Sequence, residues 1–236
     1  MALNSNNLPR KNSDSKKYAP VDPGTYPARV VQIIDLGLQP QRAYAGKEKA
    51  PANEVMITYE LLDEFLTDDD GEPLTDKPRW QSETLPWYGL FADKAKSTQR
   101  YLVLDPKQEH EGDLAPLVGS PCNVTLIHNP NAKDPENPYV NIANISAMRP
   151  RDAANAPELI NPSKVFDLSN PDLEVFNSLP KWIQEKITGN LEYAGSPLEG
   201  LLKGGKGVAK AKPEKAVKQA VKAAPEPDAE DEDVPY

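Results

Sequence analysis

Cysteine and histidine are scarce in this chain, and their scarcity excludes several kinds of site. A single cysteine, Cys122, excludes an internal disulfide framework, and two histidines, His110 and His128, leave few soft ligands for a structural zinc ion. Cys122 and His128 are six residues apart in one predicted strand, roughly 20 Å from each other, which is too far for a nucleophile and its base. The sequence therefore predicts no metal, no cofactor and no cysteine-based catalysis.

Long apolar runs and the common catalytic motifs are also missing. No stretch approaches the roughly 18 to 20 apolar residues that cross a bilayer, and the first residues lack the apolar centre of a secretory signal. There is no Gly-rich phosphate loop, Gly-x-Ser-x-Gly, His-Glu-x-x-His or Cys-x-x-Cys motif. The acidic residues 63–72 lack the glutamate that closes an EF-hand loop, so we interpret them as a solvated hairpin tip. We expect a cytoplasmic binding protein, not an enzyme.

The charges that are present lie in blocks. The chain has 36 acidic residues and 27 lysines and arginines, for a net charge of -9. Residues 203–222 contain seven lysines and one acid, whereas residues 226–236 contain six acids and no base. With 25 prolines and a mean hydropathy of -0.64, the composition predicts one core with disordered extensions. We assign these extensions to residues 1–17, an arm, and to residues 195–236, a linker and an acidic tip.

Residue patterns over residues 18–150 predict five strands and one helix. Alternation of apolar and polar residues around Tyr59 indicates a half-buried strand, which we expect to pair in a hairpin with a third strand that ends at Pro86. A short helix with an apolar repeat from Phe91 to Asp105 follows. The other predicted strands are Gly24–Gln39, Cys122–Asn129 and Tyr139–Met148. This order predicts a five-stranded Greek-key OB-fold barrel with its helix between strands three and four; a β-sandwich without the helix is the alternative.

Residues 151–194 are predicted to form a helical extension after a loop at residues 151–164. Apolar residues recur there at helical spacing, with Pro180 near the start of the helix and Gly189 near its end. The residues on this apolar face are Leu179, Trp182, Ile183 and Ile187. We expect this face to pack on the barrel.

Aromatic residues alternate with basic ones around the second and third predicted strands. Single-stranded nucleic acid is held by such combinations, because each base offers a π face for stacking and each phosphate attracts Lys or Arg. For Trp80, Trp87 and Tyr88 the sequence leaves both a groove and a core position open. The candidate contact residues are Arg42, Tyr44, Lys47, Lys49, Lys77, Arg79, Trp80, Trp87, Tyr88, Lys94, Arg100 and Tyr101.

Several segments together resemble a family of single-stranded DNA-binding proteins of tailed bacteriophages. They are "GTYPARVVQIIDLGLQ", "EVMITYEL", "KPRW", "LVGSPCNVTLIHN", "YVNIANISAM" and "FDLSNPDLEVFNSLPKWIQEKI", spread over residues 18–193. The resemblance implies a protein that coats single-stranded DNA without sequence preference. It also implies a role in phage replication, recombination or repair, in the cytoplasm of an infected bacterium.

The last residues resemble the acidic tip of bacterial single-stranded DNA-binding proteins. The matching positions are Asp231, Glu232, Asp233, Val234, Pro235 and Tyr236; the bacterial family usually ends in Phe. The resemblance implies that this tip recruits replication, recombination or repair proteins. Physically, an acidic run steers association, and a terminal ring beside a carboxylate fits a small pocket with a basic rim.

Two other functions follow from different features of the sequence. The net charge of -9 is also typical of an acidic DNA mimic that occupies a host nuclease or restriction enzyme. The concentration of six acids in the tip favours DNA binding over mimicry, because a mimic presents acid across its folded surface. The third candidate is a metal-dependent nuclease, which incubation with DNA and Mg²⁺ tests.

Overall fold

The computed structural model describes residues 18–43 and 46–204, which form a mainly β structure. The strands are β1 (Gly24–Gln39), β2 (Ala52–Thr67), β3 (Pro73–Pro86), β4 (Pro121–Asn129), β5 (Tyr139–Ala147) and β6 (Lys164–Phe166). The helices are α1 (Lys96–Leu104), α2 (Pro150–Asn155), α3 (Leu173–Ser178), α4 (Lys181–Thr188) and α5 (Pro197–Leu202). In these two ranges no helix has the length and apolarity needed to cross a bilayer.

All six strands belong to one sheet, in which the order of the first five is β3-β2-β1-β4-β5. Neighbours in that order are antiparallel, and β6 pairs in parallel with β1. The predicted strands and the hairpin of β2 with β3 are confirmed. The predicted closed barrel is not confirmed. Within the described residues no backbone ladder joins β3 to β5, so the sheet is open between these two edges.

β1 is the central strand because it is long and bends. Its first half pairs with β4, its second half pairs with β2, and β6 lies alongside it beyond the end of β4. Register shifts after Val30 and Asp35 mark two bulges in the β1–β2 ladder. Gly37 has a φ of +73°, and a Cβ there would lie 2.8 Å from the side chain of Asn190. Glycine is therefore required where the helical extension approaches the strand.

The inner face of the sheet holds the main core. Fully buried Val30, Ile57, Tyr59 and Val124 pack there, together with Tyr101 of α1. Tyr59 shares this face with its apolar neighbours two residues away, as the alternation predicted. Its side chain is fully buried in the core.

The outer face of β1 and β2 is also buried, by the helical extension. Ile34, Leu36 and Met56 project from this face into a second apolar cluster. The extension contributes Phe166, Phe176, Leu179, Ile183, Ile187 and Leu198. Each fully buried apolar side chain contributes roughly 1.5–3 kcal/mol, so the extension is held firmly against the sheet, as predicted.

Trp182 is a correction to the predicted packing face. α4 has Pro180 as its N-cap and Gly189 as its C-cap, as expected. Ile183 and Ile187 are buried one turn apart, but Trp182 is 57% exposed. A residue next to a buried position is rotated by about 100° around the helix, which turns Trp182 toward solvent.

Three predicted boundaries were wrong. The helix after β3 begins at Lys96, so Phe91 lies outside it. The predicted loop at residues 151–164 contains most of α2 and the first residue of β6, elements too short to give a periodic signal. Residues 195–236 were predicted to be disordered, but they include α5, whose Leu198 is buried. Residues 1–17 and 205–236 lie outside the described residues.

Two polar anchors fix the extension to the sheet. The Arg29 guanidinium donates to the carbonyl oxygens of Gly119, Ala156 and Pro157 at 2.7–2.9 Å. On the other side, Lys186 Nζ of α4 lies 2.6 Å from Glu54 Oε2 of β2. The extension is therefore tied to the sheet at both ends of the apolar contact.

Candidate nucleic-acid interface

Basic residues are concentrated in two short ranges of an otherwise acidic body. Residues 40–51 and 77–100 contain eight lysines and arginines and three acids. The remaining described residues contain nine lysines and arginines and 25 acids. Because phosphate binding depends on local positive charge, these two ranges are where a nucleic acid backbone meets the least repulsion.

The β2–β3 ladder brings the end of the first range close to residues 86 and 87 of the second. Residues 40–51 lead directly into β2, and Glu54 near its start lies opposite Pro86 at the end of β3. The backbone N–H of Trp87 then donates to the Asn53 carbonyl oxygen at 2.6 Å. The exposed bases of the two ranges are Arg42, Lys47, Lys49, Lys77, Lys94 and Lys96.

Trp80 and Tyr88 are the predicted aromatic contacts that the structure leaves exposed. Trp80 is 47% exposed and Tyr88 is 45% exposed. Trp80 pairs with Glu60 on β2 and so shares its outward face, followed along β3 by exposed Ser82 and Thr84. This outward row of β3 gives a surface about 20 Å long between Trp80 and Pro86.

Trp87 and Arg79 are only partly exposed. Trp87 packs against the main core and meets Tyr101 edge-on, with 6.3 Å between ring centroids. The Arg79 guanidinium donates a hydrogen bond to the Ala19 carbonyl oxygen. Both side chains therefore have structural partners, and their availability to a ligand is limited.

Arg100 and Tyr101 were wrongly predicted as contacts, because both are buried. Arg100 is 2% exposed, and its Nε donates to Glu83 Oε1 at 2.9 Å. Its Nη1 donates to Asn144 Oδ1 at 2.8 Å, and Glu83 also accepts from Tyr59 OH at 3.1 Å. Tyr101 is fully buried. The alternation of bases and aromatics does not reveal burial, and here α1 turns both residues inward.

Burial disfavours the ionised forms of two side chains in this core, Cys122 and Tyr59. Burial raises the pKa of the Cys122 thiol to about 12, so the thiol is protonated at neutral pH. Burial, and then the nearby Glu83 carboxylate, raises the pKa of Tyr59 well above its usual value. Neither side chain is placed to act as a nucleophile.

Two exposed aromatic residues near this surface were missed from the sequence. Phe91 is 92% exposed, whereas its spacing had placed it on an apolar helix face. Tyr139 is 55% exposed at the first position of β5. The sequence pattern could have identified Tyr139 as exposed. It directly follows the Asn/Pro-rich loop and precedes Val140 and Ile142, which face inward, so alternation along the strand turns Tyr139 outward.

Tyr44 and the predicted partner-binding residues lie outside the described residues. The latter are Asp231, Glu232, Asp233, Val234, Pro235 and Tyr236. Their roles therefore stay predictions.

A cavity of about 600 Å³ between the sheet and the extension has the opposite electrostatic character. Its lining includes no lysine or arginine. It does include five carboxylates: Asp35, Glu54, Asp113, Asp167 and Glu192. Burial raises the pKa of Asp35, although its carboxylate accepts a hydrogen bond from the Gly37 N–H at 2.9 Å. This cavity repels phosphate, and across the described ranges no His, Cys, Asp and Glu side chains are grouped as metal ligands.

The chain was compared with models of known protein families, with curated proteins and with solved structures, and none of the three comparisons found a match. The function is therefore argued from the geometry of the residues.

Proposed function

We propose that this protein binds single-stranded DNA without sequence preference and acts as a stoichiometric coat during phage DNA replication, recombination or repair. The observation that carries the proposal is the surface formed by residues 40–51 and 77–100. This surface combines net positive charge with exposed Trp80, Tyr88 and Phe91 in a body that is otherwise acidic. Stacking on such rings is indifferent to base identity, because every base has a π face.

We further propose that the body is an OB-type barrel. In an OB barrel the third strand lies beside the fifth, and here side chains span the gap between those two edges. Gln81 Nε2 of β3 donates to the Val140 carbonyl oxygen of β5 at 2.7 Å. Loops 40–51 and 130–138 then correspond to the two loops with which OB folds commonly hold oligonucleotides.

The tip is proposed to recruit partner proteins of the phage or the host. Six acids from Glu226 onward would steer association, and the ring of Tyr236 beside its carboxylate would fill a small pocket with a basic rim. Replacing Tyr236 by Ala is expected to leave oligo-dT affinity unchanged and to weaken partner capture in a pull-down. Loss of DNA binding instead would contradict this separation of roles.

A specific observation also favours the second candidate, an acidic DNA mimic. Of the 36 acidic residues, 28 lie in the described body, against 17 lysines and arginines. The acid is therefore not confined to the tip. What argues against mimicry is the exposed aromatic and basic surface, because a mimic of phosphate has no use for stacking rings.

A titration of the whole protein with labelled oligo-dT at low salt distinguishes the two candidates. Single-strand binding predicts saturable binding that weakens as salt increases, because counterions released from phosphate drive association. A DNA mimic does not bind oligo-dT at any salt concentration. Incubation with DNA and Mg²⁺ in parallel tests the nuclease candidate: intact DNA is the expected result, and cleavage by pure protein would establish a nuclease.

A further inference from the structure

In an OB fold, bound single-stranded nucleic acid normally reaches the outer face of the second β-strand. In this protein the extension covers that face of β2. Glu60 projects from this face, yet it is 1% exposed. Its carboxylate accepts from the backbone N–H groups of Ile160 and Asn161 at 2.8 and 3.0 Å, and from Asn161 Nδ2 at 2.7 Å. Met56, on the same face, lies in the apolar cluster under the extension. A ligand on β3 therefore cannot extend across β2.

The other side of β3 is open toward β5. The two edges are held by side chains that reach the β5 backbone instead of by a ladder. Gln81 donates to the Val140 carbonyl oxygen at 2.7 Å, and Arg100 Nη2 donates to the Ala143 carbonyl oxygen at 3.3 Å. We call this gap the β3–β5 seam.

Trp80 and Tyr139 flank the seam on its outer side. The hydrogen bond across the seam joins Gln81 to Val140. Trp80 directly precedes Gln81, and Tyr139 directly precedes Val140. Val140 packs against the main core, so alternation turns Tyr139 outward, as it does Trp80. About half of each side chain is exposed.

Two lysines belong to the elements that border the seam. Lys96 Nζ lies at the seam, 3.4 Å from both the Ile142 carbonyl oxygen and Glu83 Oε2, and the Lys96 side chain is 49% exposed. Lys133 is exposed in the loop that leads into Tyr139. The seam therefore offers one aromatic ring from each edge and an exposed cation, Lys133, in the loop before Tyr139, whereas Lys96 is already paired with Glu83.

We propose that single-stranded DNA crosses the β3–β5 seam, with unpaired bases stacked on Trp80 from one edge and on Tyr139 from the other. This inference rests on the proposed function and names the path that the ligand takes. Duplex DNA does not fit this path, because its bases have no free π faces. A ligand bound to both edges also stabilises the seam, which has no backbone ladder of its own.

The test is an oligo-dT titration of the whole protein and its Tyr139→Ala, Trp80→Ala and Trp182→Ala variants. Tyr139→Ala and Trp80→Ala should each weaken binding by roughly 5- to 150-fold, the loss expected for one stacked base. Trp182→Ala is the matched control, since Trp182 is as exposed as Tyr139 but lies on the extension, and it should bind as the wild type does. Tyr139→Phe keeps the ring and should also retain affinity.

The outcomes separate the path from the function. If the wild type binds and Tyr139→Ala binds equally well, the seam path is wrong while the proposed function stands. If the wild type does not bind at all, both fail. Hydrogen exchange of the wild type gives a second measurement that needs no variant: oligo-dT should slow exchange of the backbone amides of Tyr139–Ala147, and unchanged exchange there would overturn the path.

Discussion

Glu83 and Arg100 form a buried ion pair at the centre of the β3–β5 seam. Their side chains are 7% and 2% exposed, and the Arg100 guanidinium also binds Asn144. Removing one partner of such a pair leaves the other charge buried without compensation, which is far more costly than removing an exposed pair. The seam is thus held by charge where a closed barrel would use a ladder.

Replacing Arg100 by Met is therefore expected to lower the free energy of unfolding by about 3–5 kcal/mol. The matched control is Lys181→Met, since Lys181 and Glu185 form an exposed pair at 4.0 Å, and its effect should stay within about 0.5 kcal/mol. Urea unfolding of both variants measures the difference. Equal effects would show that the buried pair contributes no more than a surface one.

Asp105 provides a pH-dependent contribution to stability. Burial by itself raises the pKa of Asp105, but hydrogen bonds from the His110 N–H, the Tyr101 hydroxyl and the Glu109 N–H together lower this pKa below its usual value. A carboxyl group whose pKa is lowered by folding stabilises the protein above its unfolded pKa. This stabilisation is lost as the pH falls through the folded pKa.

The wild type should consequently be more stable than an Asp105→Asn variant at pH 7. This advantage should shrink as the pH is lowered below about 4, the usual pKa of an aspartate in an unfolded chain, and should be lost once the folded carboxyl group is protonated at a lower pH. Urea unfolding at a series of pH values measures it. An advantage that stays constant down to pH 2 would contradict the role of the ionised carboxylate.

One face of helix α4 packs in the outer apolar cluster, and a neighbouring face is exposed to solvent. Ile183 is 2% exposed in the outer cluster, while the neighbouring Trp182 faces solvent. Ile183→Ala should lower the free energy of unfolding by about 2–5 kcal/mol through loss of burial and the cavity that remains. Trp182→Ala, in the same helix, should cost less than about 1 kcal/mol. Thermal or urea unfolding of the pair checks this, and a larger loss for Trp182 would reverse the assigned face.

The elements that could be predicted from sequence are those with enough residues to show a period. β1 and β2 were predicted because 16 residues each carry a clear β pattern, and α4 because its apolar residues recur every turn. β6 has three residues and α5 has six, so neither produces a repeat. Each places one side chain, Phe166 or Leu198, in the apolar cluster that also contains Ile34 and Leu36, which is a tertiary effect.

The predicted contact residues differ in whether the tertiary structure exposes or buries them. Lys47, Lys77 and Trp80 are exposed, as a contact must be. Arg100 and Tyr101 share the same residue types but are buried by α1. The chemistry of a side chain can be read from the sequence, whereas its orientation depends on which face of the element meets the core.

At the scale of the whole molecule, the opposite charges of the two terminal blocks predict competition for the binding surface. If the protein binds single-stranded DNA as proposed, the six acids of residues 226–236 compete with phosphate for its basic side chains, and deleting these residues should tighten oligo-dT binding. The gain should be larger at low salt, since the screening length falls to about 10 Å at 0.1 M. Fluorescence titration at several salt concentrations measures the effect.

The control for this deletion is a triple variant, Val234→Ala, Pro235→Ala and Tyr236→Ala, which keeps every acid of the tip. It should bind oligo-dT as the wild type does, because the competing charge is unchanged. Tighter binding by the triple variant, or unchanged binding by the deletion, would show that charge is not what competes.

The sequence alone determined the mainly β architecture, the five long strands, the docking of an apolar helical face and the separation of charge at the end of the chain. Each of these depends on local spacing or on composition, which neighbouring residues express without reference to the rest of the chain. Only the tertiary structure decided that the sheet stays open between β3 and β5, that the extension covers β2, and that Trp80 and Tyr139 face solvent on either side of the seam. These features join residues about 60 to 100 positions apart, and no local pattern specifies such contacts.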